Sequence, residues 1–482
     1  MLLNELTISQ ANEGLKKKDF SSVELTRACL DRIRKIDKKI QAFITVTEDI
    51  ALKQAETADK KGDFSNPLAG IPHAPKDVFC TKGIRSTGAS KILENYFPPY
   101  NSTAIDKISQ AGGVNLGKVN CDEFAMGGSG ENSAYFITKN PWDLKRVPGG
   151  SCSGSAAAVA ADMCFYSLGT DTGGSIRQPA GFCGIVGLKV TYGRVSRYGV
   201  MAMASSLDTI GPIAKNVKDA AIILNAIAGK DEKDSTTIDV KKDDYQAEII
   251  KDIKGLKIGL PKEYFVDGMD KEVKEATMNA IKKFEDLGAE VINISLPHTD
   301  KAVAAYYIIC PSEVSSNLAR YDGIRYGKSA ESDNLLDLYL NTRSRYLGSE
   351  AKRRIMIGTY ALSAGYYDAY YKKAMQVRTL VCNDFDQAFK KVDIIITPTS
   401  PTTAFKIGEN SSDPLKMYLA DIFTIPASLA GICGISVNAG FIEGLPAGIQ
   451  ILGNKFNEKM ILRAAYNYQQ ATDSNSKKPS ID

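Results

Sequence analysis

The sequence predicts an α/β fold, and three observations carry that prediction. Strand-like and helix-like segments alternate. "KGLKIGLPKEYF" (254–265) reads as a buried strand entering a loop, and "DKEVKEATMNAIKKFEDLGAEVINISLP" (270–297) reads as helix, glycine stop and strand. The region 66–235 is rich in Gly, Ser and Ala and crowded with short apolar runs such as "GIVGLKV", a composition that lets backbone approach backbone closely. With 482 residues, 44% hydrophobic and 24% charged, the chain can bury a large core without covalent staples.

Taken in order, residues from about 5 to 60 read as helical. In "SSVELTRACLDRIRKID", Ser21 stands three residues before Glu24, the spacing of a capping box, and apolar residues then recur at helical intervals. "KKGDFSNPLAGIP" (60–72) ends that pattern with Gly, Asn and Pro. The Gly-, Ser- and Ala-rich layer follows, then the strand, helix and strand over 254–297. "AKRRIMIGTYALSAGYYDAYYKKAMQVRTLVCNDFDQAFKKVDIIITPTSP" reads as one or two long helices followed by the strand "DIIITP". The end, "TDSNSKKPSID", reads as a loose polar tail.

Bulk properties exclude several classes of function. A net charge of +4 over 482 residues leaves no general nucleic-acid footprint. Nine cysteines lie singly and no CxxC pair occurs, so zinc-ribbon and thioredoxin readings fail. Dispersed thiols fit a reducing compartment, and the expected location is cytoplasmic. No apolar run approaches the roughly 20 residues that span a bilayer, and the acid-containing N-terminus does not read as a targeting peptide.

"GGVNLGKV" is nearly a phosphate-binding loop, with Gly112, Gly117 and Lys118, but Val119 stands where a hydroxyl must meet Mg²⁺. The plainer reading is a strand end before a turn. "TDTGGSIRQPAG" (170–181) sets Ser175 behind two glycines, in a form suited to a nucleophile with free backbone N–H groups around it. "PGGSCSGSAAAVAA" (148–161) puts serines at 151, 153 and 155 ahead of an alanine-rich helix, although serine also caps helices for purely structural reasons.

A nucleophile needs a base. The chain has two histidines, His73 in a Pro-flanked loop and His298 in the surface-like turn "LPHTD", so neither a Cys152 thiolate nor a Ser-His-Asp triad finds an obvious partner. Lysine is the other available base. It accepts a proton only when neutral, and burial among apolar residues favours that form. Lys76, in "LAGIPHAPKDVFC", has such company, although most lysines are solvated surface residues.

Lys76, Ser151 and Ser175 in this order resemble the Ser–cis-Ser–Lys triad of the amidase signature family. "GIPHAPKDVF", "PGGSCSGSAAAVAA", "GTDTGGSIRQPAGFCGIVGLKVTYGRVSRYG" and "SLDTIGPI" follow the family pattern, and the resemblance runs from about residue 5 to 471. It implies one amidase-signature domain over 1–482, a central mixed sheet covered by helices on both faces. Its parts are a helical portion over 1–65, the signature core over 66–235, the remainder of the core with substrate-recognition segments over 236–471, and the tail over 472–482. It also implies roles. Ser175 is the acyl-forming nucleophile, and Ser151, after a cis peptide, relays its proton to Lys76. The N–H groups of Thr172, Gly173, Gly174 and Ser175 form an oxyanion hole, where each donor is worth about 3 kcal/mol in the transition state.

Four further stretches, "DEFAMGGSGENSAY", "YYIICPSEVSSNLARYDGIRYG", "EAKRRIMIGTYALSAGYYDAYYKKAMQVRTL" and "MYLADIFTIPASLAGICGISV", are similar to one branch of that family, the A subunits of aspartyl/glutamyl-tRNA(Asn/Gln) amidotransferases. The likeness implies a glutaminase whose ammonia passes through a channel to a large B subunit that amidates Glu-tRNA(Gln) or Asp-tRNA(Asn), with a small C subunit joining the two. ATP and Mg²⁺ would be consumed at the partner, with no cofactor or metal in this chain. Free glutamine carries a carboxylate, which an arginine can grip in bidentate fashion, and an ammonium, which an aspartate can accept. The resemblance gives these roles to Arg354 (with Arg353 as neighbouring alternative) and Asp421, with Tyr306 lining the pocket. Read without the resemblance, these charges look like ordinary solvated helix residues.

Four positions depart from the family pattern: Gly128 and Cys152 stand where serines are expected, Ser153 where glycine is, and Val190 where proline is. Two other readings share the triad or lack its use: a free-standing amidase acting on another amide, and a silent binding scaffold.

Overall fold

The computed structural model describes residues 2–265, 268–411, 413–474 and 477–481. The strands are β1 (Phe43–Val46), β2 (Pro72–His73), β3 (Val114–Asn115), β4 (Gly117–Val119), β5 (Tyr166–Asp171), β6 (Val186–Lys189), β7 (Thr209–Ala214), β8 (Lys257–Pro261), β9 (Glu290–Ile294), β10 (Ile394–Pro398), β11 (Cys433–Ile442) and β12 (Leu445–Gly453). Ten of them form one sheet in the order β3-β2-β5-β7-β6-β11-β12-β10-β8-β9, and β1 pairs with β4 apart from it. The sheet is mixed. Its centre, from β5 to β10, is antiparallel, while β3-β2-β5 and β10-β8-β9 are parallel.

Helices cover both faces, as the alternation of β11 and β12 shows. Gln450 turns to one face, where the Arg177 guanidinium of helix Arg177–Cys183 donates to it at 2.9 Å. Gly453 turns to the other, where an added Cβ would meet Ile461 of helix Glu458–Gln470 at 2.7 Å. Such a side chain would force the helix off the sheet. Buried Ile, Val, Leu and Ala from both layers make the core, including Ile394, Ile395 and Ile396 of β10, all fully buried.

The Ser21 capping box forms as the sequence predicts: Ser21 Oγ accepts the Glu24 N–H at 3.1 Å and Glu24 accepts the Ser21 N–H at 2.8 Å. It opens helix Ser22–Ile40. The helical reading of 5–60 is interrupted by β1, which exists only because β4 pairs with it. The long segment after residue 349 divides into helices Ser349–Leu362 and Lys373–Ala388, with a π-turn at Asp368–Lys372. The tail is tied down where the sequence reads as loose: Lys478 pairs with Asp162 at 3.0 Å, Asn438 donates to the Ser474 carbonyl at 2.7 Å, and Ile481 is buried. Of that tail, 475, 476 and 482 lie outside the described residues. Among the described residues no helix is long and apolar enough to cross a membrane.

The near phosphate-loop is spent on structure. Gly117–Val119 is β4, and the fully buried Lys118 donates to the Phe79 carbonyl and to Ser86 Oγ, with Asp77 at 3.8 Å. His73 lies in β2 and not in a loop, buried and stacked on Tyr166 at 5.1 Å. Burial pushes its imidazole down to about 3. His298 holds Asp384 through Nδ1 at 2.9 Å.

Candidate active site

The floor of the site is the turn that leaves β5. Asp171 ends the strand, and its Oδ2 accepts the Ile176 N–H at 3.2 Å and Arg177 Nε at 3.0 Å, while Oδ1 accepts Arg177 Nη2 at 3.0 Å. That fork is the fixed geometry in which a guanidinium meets a carboxylate. Both side chains are fully buried, and Arg177 also donates to the Thr424 carbonyl, Ser428 Oγ and Gln450 Oε1, each at 2.9 Å. Burial pushes the Asp171 carboxyl up; the Arg177 charge and hydrogen bonds, with Lys189, outweigh it and hold the group below its ordinary range.

This clamp folds 172–175 into a tight loop. Among the described residues, the N–H groups of Thr172, Gly173, Gly174 and Ser175 donate to nothing within the chain. Four consecutive unspent donors at a buried turn are unusual, because buried N–H groups are nearly always paired. The loop admits no bulkier residues. A Cβ on Gly173 would lie 2.8 Å from the Tyr306 hydroxyl, and one on Gly174, whose φ is +155°, would lie 2.2 Å from Thr424 Oγ1. The Thr172 hydroxyl is turned away onto Asp208 at 2.7 Å.

Lys76 enters from the chain after β2. Its own N–H donates to Leu168 of β5 at 3.0 Å, and its Nζ lies 2.7 Å from Ser151 Oγ and 2.8 Å from Thr170 Oγ1. The Gly150–Ser151 peptide is cis. The next residue stitches the two serine loops together: the Cys152 N–H donates to the Ser175 carbonyl at 3.2 Å, and its thiol to the Thr170 carbonyl at 3.2 Å. Lys76 and Ser151 are fully buried, whereas Ser175 keeps 8% exposure and is the least buried of the three. Cys152 is buried, and burial pushes its thiol up, which leaves it a poor nucleophile.

A cavity beside this floor is lined by the loop Gly127–Ser129, by Tyr307 and Tyr418, and by Glu350, Arg353 and Arg354 of the Ser349–Leu362 helix. Arg354 is almost fully buried, in contrast to the solvated residue its sequence context suggests. Its Nε donates to Glu350 at 2.8 Å, and its guanidinium faces the Tyr307 ring at 5.5 Å. Arg353 is half exposed and pairs with the other oxygen of Glu350. Tyr306 packs its ring on Gly173 from helix Ala302–Asn317. Asp421 follows the short helix Pro414–Leu419. Its Oδ1 is buried and meets no partner among the described residues, and burial with the nearby Asp171 charge pushes its carboxyl well above the usual range. A group so placed favours a cation beside it.

Gln178 joins floor and cavity: it accepts the Gly150 N–H at 3.0 Å and donates to the Gly128 carbonyl at 2.8 Å. Gly128 faces Asp421, and a Cβ there would lie 3.1 Å from Asp421 Oδ2. Ser153, the third departure, opens the helix Ser153–Ala160 with its hydroxyl unpaired among the described residues, and Val190 is core. Several residues in this construction have no role in the sequence reading: Thr170, Asp171, Arg177, Gln178, Glu350, Tyr307 and Tyr418. The first four stand inside the quoted serine motif, where an acid and a base flanking Ser175 hint at a clamp.

Comparison with known proteins gives a consistent assignment. A family model described as Amidase matches residues 24–462. The A subunit of glutamyl-tRNA(Gln) amidotransferase from Desulfatibacillum aliphaticivorans is 57% identical over 486 residues, with 100% of each chain aligned. The protein of the same name from Geobacter metallireducens is 58% identical over 486 residues, again with 100% of each chain aligned. The crystal structure of its counterpart from Thermotoga maritima superposes with a TM-score of 0.81 at 45% identity, covering 96% of this chain and 94% of the other. A peptide amidase bound to chymostatin superposes with a TM-score of 0.84 at 29% identity, covering 99% of both. By the family match and by full-length identity, the chain belongs to the amidase family.

Proposed function

We propose that this chain is the glutamine-hydrolysing component of a tRNA-dependent amidotransferase. The observation that carries the chemistry is the buried Lys76–Ser151 hydrogen bond at 2.7 Å, with Ser175 the least buried of the three residues. Ser175 Oγ attacks the side-chain amide carbon of glutamine. Its proton passes to Ser151, whose own proton passes to Lys76 Nζ. The oxyanion is received by the unspent N–H groups of the 172–175 loop. Collapse breaks the C–N bond; the proton returns from Lys76 through Ser151 to the leaving nitrogen, and ammonia departs. Water then cleaves the acyl-enzyme by the same relay and releases glutamate.

The pocket supports glutamine as the amide. Arg354 offers its remaining donors to the α-carboxylate, Asp421 takes the α-ammonium, and Tyr306 forms the wall over Gly173. Full-length relatives at 56–58% identity, each the A component of a glutamyl-tRNA(Gln) amidotransferase, support the wider assembly. In that assembly a B subunit receives ammonia through a channel and uses ATP and Mg²⁺ to amidate Glu-tRNA(Gln) or Asp-tRNA(Asn), and a C subunit joins the two. In this reading ATP and Mg²⁺ belong to the partner subunit.

The test is ammonia release from glutamine by the chain purified with whatever co-purifies from its own cells. Glutamine hydrolysis that vanishes in Ser175→Ala, together with one large and one small stoichiometric companion, is the expected result. Preference for apolar amides over glutamine, with the chain recovered alone, favours the free-standing amidase, for which the peptide-amidase likeness is the supporting observation.

A further inference from the structure

Asp122 and Glu123 are consecutive acids, both buried, on the turn after β4. Neither takes part in an ion pair among the described residues; both carboxylates are held instead by neutral donors. An uncompensated buried carboxylate costs several kcal/mol, so two in succession call for a reason.

The two side chains grip different bodies. Asp122 serves the floor. Its Oδ2 accepts the Gly130 N–H at 3.0 Å and its Oδ1 the Asn132 N–H at 2.9 Å. Its own N–H donates to the Ser151 carbonyl at 3.3 Å. The carboxylate fills the space against Gly150 and Gly127, where a Cβ would come within 2.2 Å of it in either case. Glu123 serves the wall. Its Oε2 accepts the N–H of Gly348 at 2.7 Å, and its Oε1 accepts the Ser90 hydroxyl. Gly348 is the N-cap of helix Ser349–Leu362, whose first turns carry Glu350, Arg353 and Arg354. A carboxylate at a helix N-terminus also satisfies the positive end of its dipole.

We propose that Asp122 and Glu123 are positioning residues that together fix the span between the Ser151 relay and the Arg354 helix. Neighbouring residues in one turn cannot shift independently, so the carboxylate-gripping arginine is held at a set distance from the reacting serine. A misplacement of about 1 Å can cost about a hundredfold in rate, which is the magnitude such a brace protects. The inference rests on the glutaminase reading only for the choice of substrate.

The test uses the full chain in its native complex. In Glu123→Ala, the KM for glutamine rises about tenfold while kcat falls less than about threefold, and Glu123→Gln, which keeps the acceptor, restores most of the loss. In Asp122→Asn, kcat falls about tenfold at nearly constant KM. Amide hydrogen exchange at 348–354 quickens in Glu123→Ala and returns to the wild-type rate in Glu123→Gln, a readout that needs no turnover. Unchanged KM and unchanged exchange in Glu123→Ala overturn the proposal, as does an equal loss of kcat and KM in both acids or a Glu123→Gln variant as poor as the alanine. A wild-type complex that ignores glutamine overturns the substrate reading instead, and the exchange arm still decides the brace.

Discussion

The floor and the wall of the site are built from different materials. The floor, from Gly149 to Gln178 together with Lys76, is buried almost throughout; its working parts are main-chain N–H groups, hydroxyls and that one lysine, locked by the Asp171–Arg177 fork. The wall, on the helices Ala302–Asn317 and Ser349–Leu362, uses long side chains: Tyr306, Tyr307, Arg353 and Arg354. That helical region is also where Met356, Ile357 and Tyr360 lie exposed. In the proposed reading the floor serves amides in general, and the wall selects among them.

That contrast can be broken at the floor first. Ser175→Ala is expected to lower glutamine hydrolysis by about 10⁴-fold with little change in melting temperature, read by ammonia release and calorimetry. Next in size, Arg177→Met strands the buried Asp171 and is expected to cost about 3–5 kcal/mol of stability, read by denaturant unfolding. A wild-type midpoint in that variant would remove the clamp from the account. Arg354→Ala is expected to lower kcat/KM for glutamine by about a hundredfold while leaving acylation by a small serine-directed probe unaltered. Equal losses on both would show that the wall is not a specificity element.

The smallest effect is a pH dependence of stability. Burial raises Glu123 to about 7, and Asp122, Asp219 and Asp37 to about 6. Unfolded carboxyls titrate near 4, so between about pH 4 and 7 the native state holds more protons, and stability falls as pH rises through that window. The melting temperature should drop by a few degrees from pH 5.5 to 8, and Glu123→Gln should shallow the slope. A midpoint that climbs over the same range would contradict these assignments.

What could be read from the sequence was local or carried by motif. The capping box at Ser21 needs only four consecutive residues, and Lys76, Ser151 and Ser175 each sit in an extended small-residue motif. What could not be read depends on distant partners. β1 has four residues and is a strand only through Gly117–Val119. "AKRRI" looks solvated on a helix, and nothing within it says that Arg354 turns inward to Glu350 and Tyr307 while Arg353 turns out. His73 reads as loop because a two-residue strand leaves no periodic trace. Glu123 meets Gly348 across 225 positions, a contact that topology alone creates.

The loop 172–175 carries an evolutionary consequence. Its four donors belong to the main chain, and no side-chain exchange other than proline deletes a backbone N–H. In the proposed mechanism point mutation can therefore wander over the wall, trying new amides one arginine or tyrosine at a time, while the four donors that receive the oxyanion are inherited intact. A lineage built on this plan changes its diet without having to reinvent its chemistry.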